Sequence, residues 1–570
     1  MDVTDLPRTV SSPPSGGFAV APTEGTALFD QAWRYQVDFW QRSVLFLDTL
    51  RERANNLLAH EAAGLPPLIH FEYETILDAR RFERPASYGL LRITACGEAH
   101  LERHVRADAR PVIVLDPRAG HGPGIGGFKR ESEVGVALEE GHPVYFVTFY
   151  PVPSPGQTLA DVLHALRRFV EEVERRHGQA PVLYGNCQAG WAAALLAADC
   201  EGLAGATVLN GSPLSYWAGE KDVNPMRLLG GLTGGTWIAH FLADLGDGRF
   251  DGAWLVQNFE ALNPAHALWD KNYQVFASVD AERERFLEFE RWWSGFYFLS
   301  REEIVAIVEN LFVGNRLERG LLRIDGHCTV DLRRIRNPVV IFASGGDNIT
   351  PPHQALAWIP AVYESTDALK AAGQRIVYLR NPHVGHLGIF VSAAVARKEH
   401  RAILEHLADL DALAPGLYEM TILAPTGEKD PGALQFRVAF EPRRVEELRF
   451  DYPADAFDKV RALSEWNERM YATFVSPWVR ALATPWSAEL LKWSHPMRAS
   501  RLAFSEQLAP WMSGIGLLAA IAREHRAPVA ATNLFLGIER AASGQVSAAL
   551  DAYRQVRDAA QEATFRALYG

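Results

Sequence analysis

The sequence predicts an α/β protein, a mostly parallel sheet with helices on both faces. Two observations carry this. Short apolar runs alternate with helix-period segments: Val112-Ile-Val-Leu, Val144-Tyr-Phe-Val-Thr-Phe, Val182-Leu-Tyr, Ala206-Thr-Val-Leu, Val339-Val-Ile-Phe and Ile376-Val-Tyr-Leu. Such alternation is what βαβ units produce. Three of these runs end in loops carrying a cysteine, an aspartate and a histidine, in that order, and these are side chains of nucleophilic catalysis.

Residues 1–25, rich in Ser, Pro, Gly and Thr, are expected to be mobile. Residues 26–108 open with a helix over 27–62, where Phe29, Trp33, Phe39, Trp40, Val44 and Leu47 recur at helical spacing, and then mix turns with a strand at Leu90-Leu-Arg-Ile-Thr. Residues 109–211 and 331–411 hold the sheet core. The clearest helix precedes the cysteine: Leu159, Val162, Leu166, Phe169, Val170 and Val173 form one stripe, and Gly178 stops it.

The stretch 212–330 is too long for a crossover between neighbouring strands and is expected to be an inserted helical cap. Its aromatics, Trp217, Trp254, Trp292 and Trp293 among them, mostly fill its own core, and it would roof an apolar acyl pocket above the strand ends. Residues 412–570 form a C-terminal extension. It holds a small antiparallel pair, Tyr418-Glu-Met-Thr-Ile with Leu434-Gln-Phe-Arg-Val-Ala-Phe, and then helices from Ala456. Pro477, Pro485, Pro496 and Pro510 break that tail into short helices, since each interrupts the backbone ladder. Its tryptophans either pack back on the core or present aromatic surface to a partner.

In Pro181-Val-Leu-Tyr-Gly185-Asn-Cys187-Gln-Ala189-Gly190 an apolar run meets a small-residue turn and then the alanine-rich stretch 191–198. A tight strand-to-helix turn demands small neighbours, and the N-terminus of the following helix lowers a thiol pKa. In isolation a core cysteine after a buried strand reads the same. Two further segments change the balance. Asn337-Pro-Val-Val-Ile-Phe-Ala-Ser344-Gly-Gly-Asp347 ends in an acid-bearing loop, and Arg375-Ile-Val-Tyr-Leu-Arg-Asn-Pro-His383-Val-Gly385-His386 ends in a glycine-flanked histidine. A lone aspartate or histidine is more often a surface or turn residue. Nucleophile, acid, histidine is the chain order of the α/β-hydrolase fold, not that of chymotrypsin or subtilisin, so Cys187, Asp347 and His386 are the candidate catalytic residues.

The loop Gly120-His121-Gly122-Pro-Gly124-Ile-Gly126-Gly127 contains G-x-G-x-x-G. A dinucleotide site needs an acid at the end of the next strand, but that strand runs into Phe149-Tyr-Pro-Val-Pro-Ser-Pro with no carboxylate before Asp161. The loop is expected instead to supply oxyanion donors from the backbone of Gly120 and His121, beside the N–H of Gln188.

A hydrophobic content of 48% suits a buried core, and a net charge of −12 argues against nucleic acid as the main partner. Cys96, Cys187, Cys200 and Cys328 lie too far apart for a disulfide framework or a metal site, so no metal or cofactor is expected. No apolar run reaches the length of a membrane span; 511–522 comes nearest and is too short. The start of the chain lacks the basic and apolar regions of a signal peptide, which places the protein by expectation in the cytoplasm.

From about residue 30 to 400 the chain resembles polyhydroxyalkanoate synthases. The resemblance rests on Gly185-Asn-Cys187-Gln-Ala189-Gly190, Gly-Gly-Asp347-Asn-Ile-Thr-Pro351 and Gly385-His386-Leu-Gly-Ile, with Glu140-Gly-His-Pro-Val-Tyr-Phe-Val, Asn315-Arg-Leu317 and Asp331-Leu-Arg-Arg-Ile. It implies transfer of 3-hydroxyacyl groups from CoA thioesters, through an acyl-Cys187, to a growing polyester. His386 would activate the thiol or the incoming hydroxyl and Asp347 would orient it. A polymer granule surface and a second copy of the chain are the further partners it implies.

The chain departs from that family at Ala189, where the pattern G-x-C-x-G-G has glycine, and in the small residues of the glycine loop, which suit a different acyl group. Two other classes stay open. One is a hydrolase, a thioesterase or an intracellular polyester depolymerase, using the same three residues with water as acceptor. The other is a non-catalytic granule-associated protein, which has no need to keep all three.

Overall fold

Strands buried on both faces have no polar side to show, so they form where β-branched and aromatic residues run uninterrupted. The central strands do so here, within a sheet of ten: β1 (Glu72–Asp78), β2 (Tyr88–Ala95), β3 (Val112–Leu115), β4 (Val144–Phe149), β5 (Val182–Asn186), β6 (Thr207–Asn210), β7 (Val339–Ser344), β8 (Arg375–Asn381), β9 (Gly416–Pro425) and β10 (Phe436–Arg443). The computed structural model describes residues 24–97, 100–324, 328–425, 435–450, 452 and 454–570. In it these strands make one sheet in the order β1-β2-β4-β3-β5-β6-β7-β8-β9-β10. β3 to β9 run parallel, while β2 is antiparallel to both β1 and β4, and β10 to β9. Every residue of β3 to β7 is buried. This is the α/β-hydrolase fold, and the strand order reverses beside β3 and β5, where such sheets open a crevice at their carboxyl ends.

The sheet extends past the core expected over 109–211 and 331–411. β1 and β2 add one edge and β9 and β10 the other. The antiparallel pair at the head of the C-terminal extension is therefore an edge of the main sheet, with Arg375 of β8 beside Gly416 of β9. Burial explains the docking: Leu417 and Met420 are each 1% exposed. The reading of residues 1–25 falls outside the described residues but for the last two, which begin a helix.

The helices that position the site are α1 (Glu24–Ala62), α2 (Glu133–Glu139), α3 (Leu159–His177), α4 (Ala189–Asp199), α5 (Ala253–Ala261), α6 (Lys271–Ala277), α7 (Val279–Trp293), α8 (His386–Val391), α9 (Ala454–Met470), α10 (Pro485–Ser494), α11 (Pro496–Leu502), α12 (Met512–Glu524) and α13 (Leu534–Tyr569). α3 shows the local logic. Thr158 and Asp161 form a capping box, Gly178 stops the helix at φ 64°, and the apolar stripe lies against the sheet. In the tail, Pro485 and Pro496 each open a helix, the position where a missing N–H costs nothing.

The segment between β6 and β7 carries α5, α6 and α7 and a short ribbon pairing Arg249–Asp251 with Phe298–Ser300. α1 lies across it from outside and also packs against α11, α12 and α13. Ion pairs hold the arrangement: Arg42 with Glu539 at 2.7 Å, Arg526 with Asp38 at 2.7 Å and Lys492 with Glu61 at 2.6 Å. Phe457, Phe565 and Tyr569 from the two ends of the tail pack on Trp217, Leu228 and Val313. The tail thus packs back on the core, while Trp466, Trp478, Trp486 and Trp511 are exposed. No helix among the described residues is long and apolar enough to cross a membrane.

Candidate active site

β5 ends at Asn186, and Cys187 makes the turn into α4 with φ 49°, a left-handed conformation rare for a residue with a side chain. The neighbours must then be small. A Cβ on Gly185 would lie 2.7 Å from Gly190 Cα and 2.8 Å from Ala193 Cβ, and one on Gly190 would lie 1.9 Å from Ser212 Oγ. The Cys187 N–H donates to Asn210 O at 2.8 Å. α4 is buried over its first ten residues, and Cys187 stands directly before its N-terminal cap, Gln188.

The loops after β7 and β8 bring the partners. His386 Nε2 is 3.1 Å from Cys187 Sγ, and His386 Nδ1 is 2.7 Å from Asp347 Oδ2. Asp347 Oδ1 accepts from the N–H groups of Ile349 and Thr350, each at 2.8 Å, which fixes the carboxylate with its other oxygen toward the imidazole. Ser344 ties the two loops together, donating to Val384 O and accepting from Gly346 N–H. All three side chains are buried. Burial opposes a charge on His386, but the Asp347 carboxylate and the Cys187 sulfur outweigh it and raise the imidazole to about 10. The arrangement favours an imidazolium beside the sulfur. Phe390 meets the imidazole edge-on at 5.2 Å.

The other histidines stand apart. His383 is exposed and His353 packs on Phe450. Cys200 is buried, and burial pushes its thiol up to about 12, so it is a packing residue.

Gln188 caps α4 directly after the cysteine, and Gly120 and His121 lie in the loop after β3. Among the described residues neither the Gln188 nor the His121 N–H donates to another protein group. The Gly120 carbonyl is taken by Tyr297 N–H at 2.9 Å, and a Cβ on Gly120 would meet Gly252 O at 2.3 Å. The inserted segment therefore presses directly on this loop. His121 is wedged against Trp292 and Trp293, donates from Nδ1 to Gly122 O at 2.9 Å, and is held by burial down to about 4, hence neutral.

Sequence reasoning missed a buried polar network behind the nucleophile. Register sets Asn186 beside Asn210 on β5 and β6, and the Asn210 amide donates to Asn186 Oδ1 at 3.0 Å. Both amides donate to Glu133 at the start of α2, at 2.6 and 3.2 Å. Burial, against those two donors, pushes the Glu133 carboxyl up to about 8, while burial holds the adjacent His400 down to about 4. The only signals in the chain are an asparagine before Cys187 and a glutamate after the glycine loop; their meeting depends on strand register. Among the described residues no cluster of His, Cys, Asp and Glu could hold a metal ion.

An α/β-hydrolase with cysteine at the elbow is the class that fold and geometry define. The chain belongs to the family described as "Protein of unknown function (DUF3141)", which matches residues 38–570. A protein of Rhizobium meliloti called "Uncharacterized protein in ackA 5'region" is 43% identical over 551 residues, spanning 95% of this chain and 74% of that one. The poly(3-hydroxyalkanoate) polymerase subunit PhaC of Haloferax mediterranei is 24% identical over 279 residues, 46% of this chain and 51% of its own. Among solved structures, a bromoperoxidase from Bacillus anthracis is similar with TM-score 0.33 and 13% identity, covering 59% of this chain and 100% of that one. The thioesterase domain from the curacin biosynthetic pathway has TM-score 0.30 and 12% identity, covering 57% and 98%.

Proposed function

We propose that the protein is a cysteine-dependent acyltransferase that takes 3-hydroxyacyl groups from CoA thioesters and passes them, through an acyl-Cys187, to the hydroxyl end of a polyester. The observation that carries the reading is the Cys187–His386–Asp347 line, at 3.1 and 2.7 Å. The partial similarity to a polymerase subunit supports the choice of acyl group.

In the first half-reaction the thiol proton passes to His386 and the thiolate attacks the thioester carbonyl. The tetrahedral oxyanion is stabilised by the N–H of Gln188 and the loop at His121. Collapse breaks the carbonyl–sulfur bond to CoA, whose thiolate takes the proton from His386. In the second, neutral His386 removes the proton of the acceptor hydroxyl as its oxygen attacks the acyl-cysteine, and returns that proton to Cys187. Asp347 holds the imidazole in place and balances its charge in both halves. The net change conserves atoms and electrons and needs no cofactor.

Water in place of the hydroxyl gives a thioesterase with the same residues. The covering segment favours transfer: Cys187 is 7% exposed and shares an apolar cluster with Val256, Trp293 and Phe296. Incubation of the full chain with 3-hydroxybutyryl-CoA, following free CoA and polymer, decides. CoA with polymer is expected; CoA with free acid makes it a hydrolase, and no CoA release removes the proposed donor. Association with a polymer granule, and a cytoplasmic address, belong to the same proposal and are read by co-sedimentation of the protein with its product.

A further inference from the structure

A cavity lies away from Cys187, where α1, α5, α6, α11 and α13 meet. It has a volume of about 1170 Å³, and Phe39, Phe46, Leu50, Phe276, Phe504 and Phe535 supply apolar wall. At one side the lining turns cationic, with Arg53, Lys271 and Arg501 around Glu260, which pairs with Arg501; the other lining carboxylate, Glu539, pairs with Arg42. Glu290 stands behind them, fully buried, 2.7 Å from Lys271 and 3.5 Å from Arg53. Three cations face two carboxylates, so the cluster carries one positive charge in excess.

The excess falls on Arg53. Its side chain is 9% exposed, its pairing with Glu290 is long at 3.5 Å, and its Nη2 donates to a neutral partner, Ser500 O, at 3.2 Å. A net positive cluster at the end of an apolar wall suits a ligand that has an anionic head and a hydrocarbon tail. Burial lowers the Arg53 guanidinium against the pull of Glu290, in keeping with a cation short of a counter-ion.

We propose that this cavity is a binding site for an amphipathic monocarboxylate, with the carboxylate at Arg53 and Arg501 and the aliphatic chain along the phenylalanine wall. Its link to the cysteine site is short. Glu260 accepts from Trp293 Nε1 at 2.9 Å, and Trp293 stacks on His121 of the oxyanion loop, with ring centroids 5.6 Å apart. α5 carries Gln257 and Glu260 toward the cavity and packs Ala253 and Val256 into the cluster that holds Cys187. The proposal does not depend on Cys187 being the nucleophile.

The test is calorimetric titration of the full-length protein with dodecanoate and hexadecanoate below their micellar concentrations, against 1-dodecanol and octanoate. Saturable binding of one molecule per chain is expected, tighter for the longer acid and about tenfold weaker for the alcohol, which lacks the charge-assisted bond. Arg53→Gln should weaken dodecanoate binding about tenfold and leave the alcohol unchanged. Because Arg53 also faces Glu290, Ala542→Trp serves as a second variant; it fills the cavity from α13 without touching the charges and should abolish binding of acid and alcohol alike. Cys187→Ala should bind as the native chain does. Equal affinity for alcohol and acid, undiminished binding in Ala542→Trp, or loss of binding in Cys187→Ala each overturns the proposal, the last by placing the carboxylate at the triad. Failure of CoA turnover leaves it standing.

Discussion

The left-handed backbone at Cys187 makes a stability prediction that is separate from chemistry. At φ 49° a residue with a Cβ pays roughly 1–2 kcal/mol relative to the right-handed region. Cys187→Ala keeps the Cβ and its strain while removing the sulfur that faces His386 at 3.1 Å. Cys187→Gly removes both. Glycine gives up roughly 0.5–1 kcal/mol of unfolded-state entropy compared with alanine, which offsets part of the relief. The balance leaves Cys187→Gly about 0.5–1 kcal/mol more stable than Cys187→Ala, the reverse of the order at an ordinary helix or strand position. Both variants lose acylation completely, although Cys200 remains. Urea titration followed by tryptophan fluorescence measures the first quantity, and labelling with a thioester analogue the second. Alanine equal to or more stable than glycine would mean that Cys187 does not make the strained turn, and labelling of either variant would remove it as the nucleophile.

Three further outcomes follow from the site. His386→Ala should slow acylation by at least ~10²-fold, His383→Ala should be mild because that ring is exposed, and Asp347→Asn should fall between; single-turnover CoA release ranks them, and a larger loss at His383 would reassign the base. Glu133 titrates from 4.5 to about 8 on folding, so its carboxyl binds a proton that the unfolded chain has released, and stability falls as pH rises from about 4.5 to about 8. Glu133→Gln should remove that slope, gaining on the native chain by an amount on the order of 5 kcal/mol at pH 8 relative to pH 4; parallel stability curves for the two would show Glu133 to be ionised in the folded state. A chain cut after Asp411 should be insoluble and unlabelled by the thioester analogue, since the cut removes β9, β10 and the tail residues packed on Trp217; a soluble, labelled fragment would show the tail to be dispensable for the fold.

The parts of the molecule written in local pattern were legible in the sequence. Apolar runs placed β3 to β8, the stripe and its glycine stop placed α3, and prolines placed the starts of α10 and α11, because each depends on residues within one turn or one strand. The line Cys187, Asp347, His386 was legible for a different reason: parallel strands in this fold all point their carboxyl ends the same way, so three strand-end loops must converge. What depends on pairing between distant segments was not legible. Nothing local in Tyr418-Glu-Met-Thr-Ile says that it will lie parallel to β8, and nothing in Glu133 says that it will receive the amides of Asn186 and Asn210. The cavity at Arg53 needs α1, the inserted segment and the tail to meet, and no pattern within any one of them contains it.

Ala189 shows how the two kinds of information combine. As sequence, an alanine where the synthase pattern has glycine weakens the resemblance at its most specific point. The contacts around the turn separate that position from its neighbours. A Cβ is forbidden at Gly185 by the backbone of Gly190 and at Gly190 by Ser212, so these two are glycine of necessity. Ala189 already carries its methyl group, 7% exposed, within the cluster that packs α4 against the sheet. The turn needs two glycines around its cysteine, not three, and the third position is set by packing beneath α4. The departure therefore bears on how the first turn of that helix seats, and leaves the placement of the thiol against His386 intact.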